Sequence, residues 1–143
     1  MPVMFDSSIY ITAVRLRDVE LLGGRWLGDL PVWLSSVVVE ELYAGAKPAD
    51  LHILAKLERD LGGANRTLTP NSADWQRAGK ILSRMGQRYG YERIGKARLV
   101  NDALIATSAA RSGVTVITAN QRDFAKLAEF CSLQWQTRAV NNG

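Results

Sequence analysis

A single cysteine and a single histidine are all that this chain of 143 residues offers as thiolate and imidazole metal ligands. That scarcity excludes a His/Cys zinc site, an H-E-x-x-H metalloprotease and an internal disulfide. A Ser-His-Asp triad would have to use His52, which lies in the charged amphipathic stretch "ADLHILAKLERDL" and is expected to face solvent. No run reaches the roughly 18 apolar residues of a membrane helix. The opening "MPVMFDSS" has no basic segment and only a short apolar run, so with lone Cys131 a reducing, cytoplasmic setting is expected. Internal repeats, low-complexity tracts and Pro/Gly/Ser linkers are all missing. One domain spanning 1–143 is therefore expected.

What is present is ordinary globular material, 47% hydrophobic and 22% charged. A chain of this size buries roughly two-thirds of its unfolded surface. The net charge of +4 and a pI near 9.5 lean toward a polyanionic partner.

Local patterning alternates strands and helices. "PVMF" reads as a buried strand, followed by a helix over about 7–16 and a short helical piece in "RDVELLGGRWLGD". "PVWLS" is a second strand. "SVVVEELYAGA" starts β-branched and ends helical near Gly45. Pro48 and Gly62-Gly63 bracket another helix, "RTLTP" suggests a strand, and a long helix starts near Asn71 or Ser72. A helix over 101–112 stops at Gly113, "VTVIT" is a strand, a short helix covers roughly 123–130, and "LQWQ" suggests a last strand. This order predicts an α/β fold, a three-layer sandwich with a central parallel sheet of about five strands covered by helices. Ligands in such folds bind beyond the carboxyl ends of the strands. The four tryptophans, Trp26, Trp33, Trp75 and Trp135, are expected in the core or at an interface, with core the default.

The acids fall at those ends. Asp6 directly follows the first strand, where it also suits a helix N-cap. Helical angles put Glu40 opposite the stripe of Val38, Val39, Leu42 and Ala46, and Glu41 on its flank. Asp102 shares a face with Ile105, Ala106 and Ala109, although a helix dipole also favours an acid at that end. Asn120 and Asp123 follow "VTVIT", where a turn and helix cap explain them equally well. Gathered together, such oxygen donors suit a hard divalent ion, Mg²⁺ or Mn²⁺.

Three pieces, "MFDSSIYI", "SSVVVEELYAGA" and "NDALIATSAARSGVTVITANQRDF", carry a resemblance to the PIN-domain nucleases, and within them to the VapC-type toxins of toxin–antitoxin systems. The resemblance implies a Mg²⁺- or Mn²⁺-dependent endoribonuclease with catalytic, metal-holding Asp6, Glu41 and Asp102. It carries a fourth metal position onto Asn120, where the family commonly has an aspartate, and Asp123 is a substitute donor. Ser7 and Thr118 match supporting hydroxyl positions. It also implies an RNA substrate, a small antitoxin partner and a homodimer.

"SRMGQRYGYERIGKAR" supplies candidate RNA-binding residues Arg84, Arg88, Arg93, Lys96 and Arg98, with Tyr89 and Tyr91 available to stack on bases. Within it, "GYERIGKA" misses the phosphate-binding loop pattern, because Ala97 replaces the required hydroxyl and a helix precedes it. The neutral Asn120 motivates an alternative, a catalytically impaired RNA-binding module. A receiver-like fold would want an acidic pair after strand one and a lysine after a late strand, and neither is present.

Overall fold

Val3, Met4 and Phe5 are 5%, 0% and 0% exposed, the mark of a strand covered on both faces. A computed structural model describes residues 2–16, 31–62, 66–91 and 97–138. The elements are β1 (Val3–Phe5), α1 (Ser7–Leu16), β2 (Val32–Ser35), α2 (Ser36–Ala44), a 3-10 turn (Pro48–Asp50) and α3 (Leu51–Gly62). They continue with β3 (Thr67–Leu68), α4 (Ser72–Tyr89), α5 (Ala97–Ser112), β4 (Thr115–Thr118), α6 (Gln121–Ala128) and β5 (Trp135–Thr137).

The five strands form one sheet in the order β3-β2-β1-β4-β5, and every pairing is parallel. Met4 lies between Trp33 and Val116, so β1 is central. The chain moves outward from β1 to β3, then returns to lay β4 on the other flank. The reversal falls between β1 and β4, which makes their carboxyl ends the crevice of the fold.

Local chemistry explains the helix ends. The Ser35 hydroxyl accepts the Val37 N–H at 3.2 Å, so α2 starts immediately after β2 despite its β-branched valines. Asn71 and Asp74 exchange two hydrogen bonds at the start of α4, a capping box. Gly113 stops α5 in the left-handed region at φ +67°, which costs a glycine little.

Some boundaries differ from the sequence reading. Helix α5 starts at Ala97 rather than 101, so Asp102 is its sixth residue and stands beyond the first turn. This helix is also buried nearly all round, with Ala103 through Ala109 all at 2% exposure or less. It packs on α2, α4, α6 and β4, and its alanines and short hydroxyl residues permit close approach. Helix α6 starts two residues early, and β5 starts two residues late. Trp75 is 58% exposed and is no core residue: it lies one position, about 100° of turn, past buried Asp74. Trp33 and Trp135 pack half-buried against the core. Residues 17–29 and Trp26 lie outside the described residues.

Asp74, fully buried, joins α4 to the end of α5. Arg111 Nε donates to its two carboxylate oxygens at 3.1 and 2.9 Å, and Arg77 and the Asn71 N–H complete the shell. Burial pushes the Asp74 carboxyl up, but the Asn71 N–H and the two guanidiniums outweigh it and hold it below its ordinary value. A depressed carboxyl stabilises the fold above its unfolded pKa, and that contribution is lost as pH falls through the folded pKa. Asp74→Ala is expected to cost about 2–3 kcal/mol at pH 7, less than a fully buried pair because Arg111 stays partly exposed. Urea melts should also show a shallower loss of stability below pH 4 in the variant; equal slopes would show that the clamp carries none of the acid sensitivity.

Candidate functional site

Asp6 stands between the end of β1 and the start of α1, and it is 2% exposed. Two hydroxyls donate to it. Thr118, at the end of β4, reaches Oδ2 at 2.7 Å, and Ser8 donates to Oδ1. Each hydroxyl also accepts a backbone N–H from the next loop: Ala119 N to Ser8 Oγ at 3.0 Å, and Asn120 N to Thr118 Oγ1 at 2.8 Å. Two relays thus tie the loop after β4 to the two oxygens of one carboxylate. Burial raises the Asp6 carboxyl above its ordinary value, against the lowering effect of these hydroxyls and of the backbone at Ser8 and Ile9.

Of the two hydroxyl positions named by the resemblance, Thr118 donates to Asp6 and Ser7 is buried, while the other hydroxyl on Asp6 is that of Ser8. An aspartate accepting from the hydroxyl two residues on is a local side-chain pattern, and "DSS" carries its signal.

Asp102 is 2% exposed on α5. Glu41 is half-buried on α2, with Oε1 shielded from solvent, and it lines a pocket of about 390 Å³ with Arg15, Lys47 and Asp50. One residue ahead of this pair, Asn101 Nδ2 donates to Glu40 Oε2 at 3.3 Å and fastens α5 to α2. Glu40 is exposed, as its angle required, yet it serves this bridge.

Asn120 is the N-cap of α6. Its Oδ1 accepts the Asp123 N–H at 3.4 Å, and its Nδ2 donates to Asp123 Oδ2 at 3.0 Å. The two side chains engage each other, the capping arrangement that the turn reading foresaw.

Among the described residues, no three His, Cys, Asp or Glu side chains form a ready metal-holding group. Carboxylates repel one another, and the fold carries these on separate elements. In kind the donors do fit a hard cation. They are oxygen ligands, two of them on buried carboxyls, and the Asp6 partners occupy one direction on each oxygen.

The basic stretch is only partly assembled. Arg84 is exposed. Arg88 pairs with Glu129 at 3.3 Å. Tyr89 is not free to stack on bases: its hydroxyl donates to Glu129, and Arg88 and Lys126 lie over its ring. Tyr91 is 62% exposed. Arg93, Lys96 and the Arg98 side chain lie outside the described residues.

Comparisons with known proteins agree with this architecture. The PIN domain family model matches residues 3–130, so the chain belongs to the PIN domain family. Among solved structures it is similar to VapBC2 from Rickettsia felis, bound to a DNA fragment from its promoter, at 17% identity and a TM-score of 0.71, covering 96% of this chain and 99% of that one. It is likewise similar to VapBC-1 from nontypeable Haemophilus influenzae, at 22% identity and 0.69, covering 96% and 98%. A third is VapBC-5 from Mycobacterium tuberculosis, a member of the VapBC family of toxin-antitoxin systems, at 22% and 0.55, covering 97% and 98%. No curated protein matches.

Because the Asp6 pKa is raised on folding, its contribution is complete below the ordinary value of 3.8 and is lost as pH rises through the folded pKa. Above that range the raised carboxyl costs stability relative to low pH. Asp6→Asn is therefore expected to raise Tm at pH 8, with a gain that shrinks as pH approaches 4. A variant less stable than wild type at pH 8 would contradict this electrostatic reading.

Proposed function

We propose that this protein is a Mg²⁺- or Mn²⁺-dependent endoribonuclease, the toxin of a toxin–antitoxin pair, working in the cytoplasm as a homodimer restrained by a small antitoxin. The observation that carries the reading is buried Asp6 at the β1–β4 crevice, held among the described residues by hydroxyls and backbone N–H groups. Membership of the PIN domain family and likeness to VapBC structures support it. No helix among the described residues is long and apolar enough to cross a membrane.

In this proposal Asp6, Glu41 and Asp102 hold the divalent ion, with Asn120 and Asp123 at its edge. The bound ion supplies polarisation of the phosphodiester and a lowered pKa for the attacking water. The chain's own residues do the rest. Thr118 and Ser8 fix the direction of the Asp6 oxygens and, by donating hydrogen bonds, favour the ionised form that a cation needs. The Asn101–Glu40 bridge sets α5 against α2 and so fixes where Asp102 and Glu41 stand. Arg84 and Arg88, with Arg93, Lys96 and Arg98, draw RNA in through its phosphates, and exposed Tyr91 offers a face for an unpaired base.

A second reading, an RNA-binding module with impaired catalysis, draws on the Asn120–Asp123 pairing, which engages both side chains in capping. One assay separates the two. Purified protein incubated with total small RNA is expected to cleave with Mg²⁺ or Mn²⁺ and not with chelator, and Asp102→Ala should slow cleavage by about a hundredfold or more. RNA binding with no metal-stimulated cleavage would favour the module. Equal cleavage by wild type and Asp102→Ala would remove the proposed site.

A further inference from the structure

Helix α4 carries Arg77, Lys80, Arg84 and Arg88 at spacings of three, four and four residues, which puts four cations on one face. Their span of 11 residues is about 16 Å of helix. Beside them lies a pocket of about 710 Å³, bounded by α4, the end of α5 and the segment after α6. Arg77, Lys80, Arg84 and Arg111 line it with the hydroxyls of Ser83 and Ser132, and Phe130 gives it an aromatic wall. Among the described residues, no carboxylate lines it. Asp74, behind it, takes Arg77 and Arg111, and Arg88 is paired with Glu129. Among the described residues, Lys80 and Arg84 have no ion-pair partner.

We infer that this pocket is a second binding site for the RNA, taking backbone phosphates away from the carboxylates. The inference rests on the endoribonuclease reading above. A concave surface with two uncompensated cations and no acid in its lining selects for anions. Phosphodiester is favoured over an acidic peptide because the cations run in a stripe, suited to a chain of regularly spaced charges, and because Phe130 adds a surface against which a base can pack. The pocket and the carboxylates share α5. Thr107 and Arg111 at the pocket stand five and nine residues from Asp102, and Thr107 is turned about 140° and Arg111 about 180° from it around the axis. A strand held at both places must therefore wrap the α4–α5 flank, so the pocket contributes to binding of long RNA.

The test measures anisotropy of a labelled single-stranded RNA of about 20 nucleotides in an Asp102→Asn background, which keeps the RNA intact, across a salt series. Lys80→Gln with Arg84→Gln is expected to weaken binding about tenfold and to lower the salt slope by about 1.4, two contacts at roughly 0.7 each for a single strand. Lys80→Arg with Arg84→Lys should restore both. Both positions are exposed, so unchanged Tm is expected, and a melt establishes that folding is intact. Unchanged affinity and slope in the Gln pair would overturn the second site and leave the nuclease reading standing. Failure of the Asp102→Asn parent to bind RNA at all would overturn both. Poly-glutamate or inorganic phosphate binding as tightly as RNA, with the same dependence on Lys80 and Arg84, would assign the pocket to another anion and overturn it.

Discussion

One carboxylate carries the geometry of the crevice. Asp6 and Thr118 are 112 residues apart in sequence, and the hydrogen bond between them closes the gap between the ends of β1 and β4. Ser8 closes it a second time through Ala119. Backbone pairing of β1 with β4 sets the strands in register, with Phe5 opposite Ile117. The hydroxyl relays then carry that register past the last paired residues into the loops, where chemistry needs it. Without them the loop after β4 would be tied down chiefly by the cap of α6.

Much of the fold is legible in the sequence because its signals are local. A continuous apolar run announced β1, a β-branched run announced β4, and proline and glycine marked helix limits. Those signals depend on a few neighbouring residues. The start of α5 was misplaced because Arg98, Leu99 and Val100 give no cap and no strong period, and tertiary packing rather than propensity lengthens the helix there. The exposure of Trp75 was equally invisible. A bulky ring is core by default, and only the position of Asp74 beside it shows which way that turn of helix faces.

For the site, sequence located the segments better than the atoms. Asp6, Asp102 and the flank position of Glu41 are where angles and strand ends put them. The choice between Ser7 and Ser8 depended on which hydroxyl bends back over the N-terminus of α1, a matter of one residue that periodicity does not resolve. Asn101 with Glu40 and Asp74 with Arg111 pair across 61 and 37 residues. Pairs of that range have no local signature, and either acid passes for a solvated charge when read alone.

Asp6 and Asp74 make a controlled comparison inside one molecule. Both are buried aspartates near the start of a helix. Asp74 is met by two guanidiniums and a backbone N–H, and its carboxyl is held below the ordinary value. The partners of Asp6 are hydroxyls and backbone N–H groups, and its carboxyl stays above. Folding alone accounts for the first, since the charge is compensated where it lies. It accounts less well for the second, because asparagine would fill the same volume without burying a titratable carboxyl. A buried carboxyl met by neutral donors, at the crevice where an α/β sheet reverses, is the environment that the proposed cation would complete. The fold compensates Asp74 with guanidiniums where it lies and leaves Asp6 to neutral donors, and the proposed function draws on that difference.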